Sequence, residues 1–274
     1  METTEEQHLR LLLRLFNGIK EYEPLVEDRS RGIDVERGSS LWADDAKTFP
    51  HNLSHGVQHA LSVSIDHLQC LRSSIQQFDH NGNPSNVFHM NAQYSLARGA
   101  IENAGRALWL VDPSNRLERV TRRLRLAYKE LGDSHSVREL LGAPTARTLA
   151  ERQGDLLRLL LAAGVPTDKA PKALKQGAGY ADILSDVGGR LPVGARPELG
   201  PVVCKGIWKA CSALAHGDQV GAVNFLDREE LEHDGSVALV SFTASVPLLA
   251  QATYVTVRIL ERSFELFRKR ALAP

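Results

Sequence analysis

The segment "MNAQYSLARGAIENAGRALWLV" (90–111) constrains the chain more than any other. It is apolar on most sides of a helix, and a helix of that kind has to be buried. Its Ala and Gly residues let neighbouring helices approach closely, so it is expected at the centre of a helical bundle. Yet Arg98, Glu102 and Arg106 stand four apart and line up on one face. Each spacing supports an ion pair, and buried charges are expensive unless paired. The line is either a structural ladder that fixes helix register or a preorganised polar patch in a cleft.

Helical periodicity governs most of the remaining chain. Thr3 to Glu6 reads as a capping box, followed by the stripe Leu9, Leu12, Phe16 and Ile19. Residues 23–50 carry no sustained period and form a long connection, part of which is expected to pack down through Trp42 and Phe49. A second helix is expected over 51–78, with Leu53, Val57, Leu61, Leu68, Leu71, Ile75 and Phe78 as its seam and Ser64 in one seam slot. "DHNGNPSN" (79–86) reads as a loop. Asp112-Pro113-Ser114 separates the central helix from a fourth, about 115–131. Residues 134–200 hold shorter helices (about 145–163, 167–176 and 179–187) and read as an insertion or subdomain. Pro171 argues against a DNA-reading helix-turn-helix there.

A helix from about 201 to 216 follows, with Pro201 in its first turn and Gly217 just past its end. The period then changes to two: "GAVNFLD" and "SVALVSF" flank "REELEHDG", which predicts a β-hairpin turning at Asp234-Gly235. A last helix runs from about 245 to 270. The fold class is therefore mainly α: a helical bundle with a small β-hairpin before the C-terminal helix. By organisation, 1–50 is an N-terminal helix and long connection, 51–133 and 201–274 the bundle core, and 134–200 the insertion.

Three histidines, His51, His55 and His59, recur at a spacing of four. His55, His59, Ser62 and Asp66 form a stripe roughly opposite the leucine seam, so a polar outer face or contact surface is the leading reading. A metal-dependent hydrolase using His55, His59 and Asp66 is the alternative, although the His-Glu-x-x-His pattern is missing. The face gains a role in a cleft only if the 23–50 connection folds over it. His67, at the border of the seam, is expected to be buried and hydrogen-bonded.

The fourth helix carries Arg116, Arg119, Arg122, Arg123, Arg125 and Lys129, with the arginines on its outward side. Clustered arginine matches phosphate geometry. Lys205, Lys209, Ser212 and His216 share a stripe on the 201–216 helix. His216 lies in the last turn and Ser212 four residues before it, within side-chain reach. No orienting acid for a serine nucleophile is apparent.

Lys+Arg and Asp+Glu number 33 each, so any basic footprint is local. The odd count of three cysteines, Cys70, Cys204 and Cys211, fits small buried thiols in a reducing cytoplasm rather than disulfides. The acidic N-terminus lacks a signal-peptide pattern, and no apolar run is long enough for a membrane span.

Two stretches together, "YSLARGAIENAGRALWLVDPSNRLERVTRRL" (94–124) and "IWKACSALAHG" (207–217), resemble a broad group of mostly actinobacterial helical proteins without an established activity. A looser likeness is to HEPN-like helical bundles. Their signature is an arginine four to six residues ahead of a histidine late in the bundle. His216 takes the histidine's place, with Lys209 upstream, while the literal spacing Arg228-x4-His233 falls in the hairpin region. The likeness implies a bundle that engages RNA or another phosphate-bearing ligand. Its candidate catalytic residues are His216, Ser212 and Glu102, and its candidate ligand-binding residues are Arg98, Arg106, Arg119, Arg122 and Lys209. It calls for no metal or cofactor. The second reading is a non-enzymatic regulatory or scaffold protein working through a homodimer or partner surface.

Overall fold

A computed structural model describes residues 3–27, 33–143, 145–177, 179–191, 199–234 and 237–273. Among the described residues the chain is mainly α, with twelve helices and two small antiparallel hairpins. It forms two compact units. The first takes Met1–Gly32, Ala60–Arg106 and Tyr180–Arg262; the second takes Ile33–His59, Ala107–Gly179 and Ser263–Pro274. Of residues 134–200, those up to Gly179 fall in the second unit and those from Tyr180 in the first. No described helix is long and apolar enough to cross a membrane.

In the first unit, α1 (Thr4–Ile19) opens with the expected capping box and buries Leu12, Phe16 and Ile19. The part of α4 (Leu53–Ile75) that belongs here buries Leu61, Leu68, Leu71 and Ile75. Ser64 occupies its seam slot by donating its hydroxyl to the Ala100 carbonyl, 2.8 Å away, on α5 (Ala92–Val111). A polar group can sit in an apolar seam only when it is satisfied in this way. At the start of α5 the buried Tyr94 hydroxyl donates to the Ser245 carbonyl and accepts from the Ser245 N–H. That pair fixes α5 to the beginning of α12 (Val246–Ala271). Burial pushes the Tyr94 phenol well above its ordinary value.

Helix α9 (Tyr180–Gly188) packs on α10 (Pro201–Ala215). Gly105 of α5 lies against Leu184 of α9, where a Cβ would stand 2.6 Å from Leu184 Cδ2. The absence of a side chain is what allows that approach.

Three expectations fail here. Phe78 is not part of the α4 seam: it lies on β1 (Gln76–Phe78), is exposed, and pairs across to β2 (Pro84–Asn86). The 79–86 loop is thus shorter than expected, closed by Asp79, which accepts from the backbone N–H groups of Asn81 and Asn83. "GAVNFLD" is not a strand. Gln219–Phe225 forms α11, because the Asp218 side chain accepts from Val220 and Gly221 N–H and caps a helix that the alternating pattern does not foretell. The hairpin is built instead from β3 (Asp227–Asp234) and β4 (Val237–Thr243), so Arg228 and His233 lie on a strand. Gly235 of the expected turn lies outside the described residues.

In the second unit, α6 (Arg116–Leu140) is the backbone of the packing. Its Val120, Leu124, Ala127 and Leu131 meet Leu156 and Leu160 of α7 (Leu149–Ala162) and Ala170 and Leu174 of α8 (Ala170–Lys175). Pro171 sits in the first turn of α8, where its missing N–H does no harm. At six residues that helix is too short to read a groove. Helix α6 runs a further nine residues beyond the expected end, which leaves Leu140 and Leu141 exposed. In the 23–50 connection, α2 (Glu23–Glu27) falls in the first unit and α3 (Ser40–Thr48) in the second. The packing of α3 uses Leu41, Asp44 and Thr48, while Trp42 and Phe49 stay exposed, contrary to expectation. They lie on the other face of a one-sided helix.

Candidate functional site

Within the first unit, α5 and the C-terminal end of α10 bring together three of the predicted residues. Glu102 Oε1 accepts from Arg98 Nε at 2.8 Å, one helical turn back on α5. The same oxygen accepts from the Trp208 indole Nε1–H, also at 2.8 Å, from α10. Arg98 Nη1 in turn lies 2.6 Å from His216 Nε2. His216 is the C-cap residue of α10, followed by Gly217 at φ +70°, so it sits where the helix stops and its ring is exposed.

The donor inventory settles the roles in this chain. A guanidinium has only donors, so His216 Nε2 accepts and the ring proton sits on Nδ1. Glu102 is the anchor: its side chain is only 12% exposed, against 26% for Arg98. It holds the Nε edge of Arg98 and leaves the Nη end reaching toward solvent and histidine. The arrangement is a fixed carboxylate, a guanidinium hinged on it, and a neutral imidazole at the guanidinium's free end.

The polar face of α5 continues past this cluster. Gly99 and Asn103 are half-buried beside it, and the Asn103 amide donates to the Gly99 carbonyl. His67 of α4 lies over Gly99: a Cβ there would stand 2.4 Å from His67 Nε2. His67 Nδ1 is 2.8 Å from the Val63 carbonyl, which makes it the protonated nitrogen and leaves Nε2 as an acceptor. His67 is hydrogen-bonded as expected, but only partly buried.

Other candidates fall elsewhere. Arg106, the third member of the α5 line, reaches the Tyr180 hydroxyl and lies 5.5 Å from the centre of its ring. Lys209 is exposed, and Ser212 is half-buried with no side-chain hydrogen bond to the His216 ring among the described residues. In this arrangement His216 Nε2 faces Arg98 rather than Ser212.

Arg119 and Arg122 do not form a surface stripe. Arg119 is 1% exposed. Its Nε and Nη2 donate to the two oxygens of buried Asp44, Nη1 to the carbonyls of Pro113 and Ser114, and Nη2 also to Ser40 Oγ. All five guanidinium hydrogens are engaged. Arg122 donates to Glu118 and to the Trp109 carbonyl, and its guanidinium stacks 4.6 Å from the Trp109 ring centre. Both arginines hold the second unit together, and neither is available to a ligand.

The histidine stripe is polar and outward, with His55, His59 and Asp66 exposed. Among the described residues no group of three or more His, Cys, Asp or Glu side chains is placed to hold a metal, so the metal-hydrolase alternative is not carried forward. Cys204 and Cys211 are buried as expected, and burial pushes their thiols up to about 11 and about 12. Cys70 departs from expectation in being exposed.

Sequence reasoning missed Trp208. Its signal was present: a half-buried indole needs an acceptor for its N–H, and Glu102 is the lone carboxylate on an otherwise apolar helix. No family model, no curated protein and no solved structure matches the chain.

Proposed function

We propose that the Arg98–Glu102–His216 cluster engages a phosphate-bearing ligand, with the RNA backbone foremost, in the manner of a HEPN-like helical bundle. The observation that carries this reading is the 2.6 Å contact between Arg98 Nη1 and His216 Nε2, with Arg98 anchored at Nε by Glu102. A phosphodiester oxygen competes for the Nη end of Arg98, the strongest donor at the site. Glu102 keeps the guanidinium in place while that end turns. Arg98 then leaves His216 Nε2, whose lone pair becomes free at the moment the phosphate is held.

On RNA this sequence supports cleavage as well as binding. The 2′-hydroxyl proton passes to His216 Nε2, the 2′ oxygen forms a bond to phosphorus, and the bond from phosphorus to the 5′ oxygen breaks. The leaving oxygen takes its proton from water. Lys209, exposed on the same helix, adds a positive charge for the neighbouring phosphate.

The test is fluorescence anisotropy with a labelled single-stranded RNA at low salt, read alongside a cleavage gel. Arg98→Ala should weaken binding at least tenfold and lower the salt slope by about 0.7, the share of one single-strand phosphate contact. His216→Ala should keep most of the binding and lose any cleavage. Wild-type protein that neither binds nor cuts RNA at low salt sinks the reading.

A further inference from the structure

The 33–49 segment folds against the start of α4 and forms with it an open cavity of about 480 Å³, inside the range of small-molecule sites. Its walls are tied together on both sides. Gln58 Nε2 donates to the Ile33 carbonyl, and Asp45 of α3 accepts from both the N–H and the hydroxyl of Ser54 at 2.9 and 2.5 Å. The cavity is thus a built feature of the second unit rather than a gap under a loose loop.

Its chemistry is one-sided. The aromatic lining is Trp42 and Phe49, 44% and 69% exposed, which α3 presents on one face instead of burying. The charged lining is Asp34 and Asp45, and among the described residues no Lys or Arg lines it. Asn52 also lines it, with its Oδ1 buried and without a hydrogen-bond partner among the described residues. Asn52 precedes α4, where its side chain would ordinarily cap the helix. That role is taken by Asp45 at Ser54 and by Thr48 Oγ1, which accepts from the Leu53 N–H. Two of the first-turn donors that would draw an anion are therefore already used. Arg123, behind this wall, donates to the Asn52 carbonyl and pairs with Glu130. His55 completes the wall.

We propose that this cavity binds an organic cation: a guanidinium or ammonium group carried on an extended apolar chain. Carboxylates suit a donor-rich positive head. Aromatic faces attract a cation and pack its methylene stem. Trp42 of α3 and Phe49, its C-cap residue, are seven positions apart, about 10 Å along the axis, which favours a ligand with length over a compact one. Of the three spaced histidines, His55 then has a place in a cleft wall, because the 33–49 segment does fold over it.

Agmatine is the probe, titrated into the full chain by calorimetry, with N-butylurea as the neutral counterpart of its head group. Agmatine should bind with one site, and N-butylurea at least tenfold more weakly. Trp42→Ala and Asp34→Asn should each weaken agmatine by about 3- to 30-fold, the range of a cation–aromatic or exposed ionic contact. Both side chains are exposed, so melting temperatures should match the parent and exclude misfolding as the cause. Three results overturn the proposal: no agmatine binding up to about 10 mM, far beyond useful affinity; equal binding of the urea; or variants that bind as well as the parent.

Discussion

Asp44→Asn tests whether the arginines of α6 are scaffold or surface. Asp44 is fully buried and receives Arg119 Nε at 2.7 Å, Arg119 Nη2 at 3.0 Å and Arg116 Nε at 3.1 Å. The amide removes the charge and turns one acceptor into a donor aimed at a guanidinium. Arg116 is 53% exposed and can turn to water, but Arg119 cannot, so one buried cation loses its counter-charge. Breaking such a pair from one side costs about 3–5 kcal/mol. With a urea slope of about 2 kcal/mol per M, the unfolding midpoint should drop by about 2 M. The assay is urea denaturation followed by tryptophan fluorescence, to which Trp109 of the same unit contributes. Asp133→Asn, which breaks the open Lys129–Asp133 pair, is the control and should change stability by under about 1 kcal/mol. Asp44→Leu combined with Arg119→Met should recover part of the loss, as buried pairs often tolerate apolar replacement. RNA binding under native conditions should be unchanged in Asp44→Asn. A midpoint shift no larger than the control's, or a selective loss of RNA binding, refutes the structural assignment of Arg119.

Three further outcomes are expected. Gly99→Ala places a methyl group 2.3 Å from His67 Cδ2, so the imidazole must leave its bond to Val63; a loss of about 1–3 kcal/mol by denaturation is expected from overpacking, and an unchanged midpoint counts against the close fit. Alkylation by iodoacetamide at neutral pH should modify Cys70 alone, since Cys204 and Cys211 remain protonated thiols. Their folded-state values lie above the unfolded one, so the stability they contribute is full below about 9 and fades as pH rises through about 11 and about 12, readable as a falling melting temperature.

The sequence made the helices legible wherever a 3.6-residue period was long and capped. The α1 box, the α4 seam with Ser64 and the Pro201-to-Gly217 helix all follow from local chemistry that burial reinforces. It also marked Arg98, Glu102 and His216, because charges on apolar helices are conspicuous. Exposure was harder to read. Arg119 and Arg122 fall on the side opposite the α6 leucine seam, which suggests solvent, yet Asp44 and Trp109 cover that side. A one-dimensional pattern shows which face is apolar but not what lies across from the polar one. The α11 segment alternates like a strand, and only the Asp218 cap, a single residue, decides otherwise. Trp42 and Phe49 deceived for the opposite reason: aromatic residues usually mark packing, and here they line a cavity.

Asp45 joins two roles that are usually separate. It is an acidic wall of the cavity and also the group that closes the first turn of α4 at Ser54. A cation drawn to that carboxylate shares it with the helix end. Occupancy is therefore coupled to fraying: as the carboxylate is shared, the Ser54 amide is held less firmly and exchanges its hydrogen faster with solvent. The start of α4 thus carries a backbone record of whether the cavity is filled, legible in amide exchange even for a ligand too small to shift any helix.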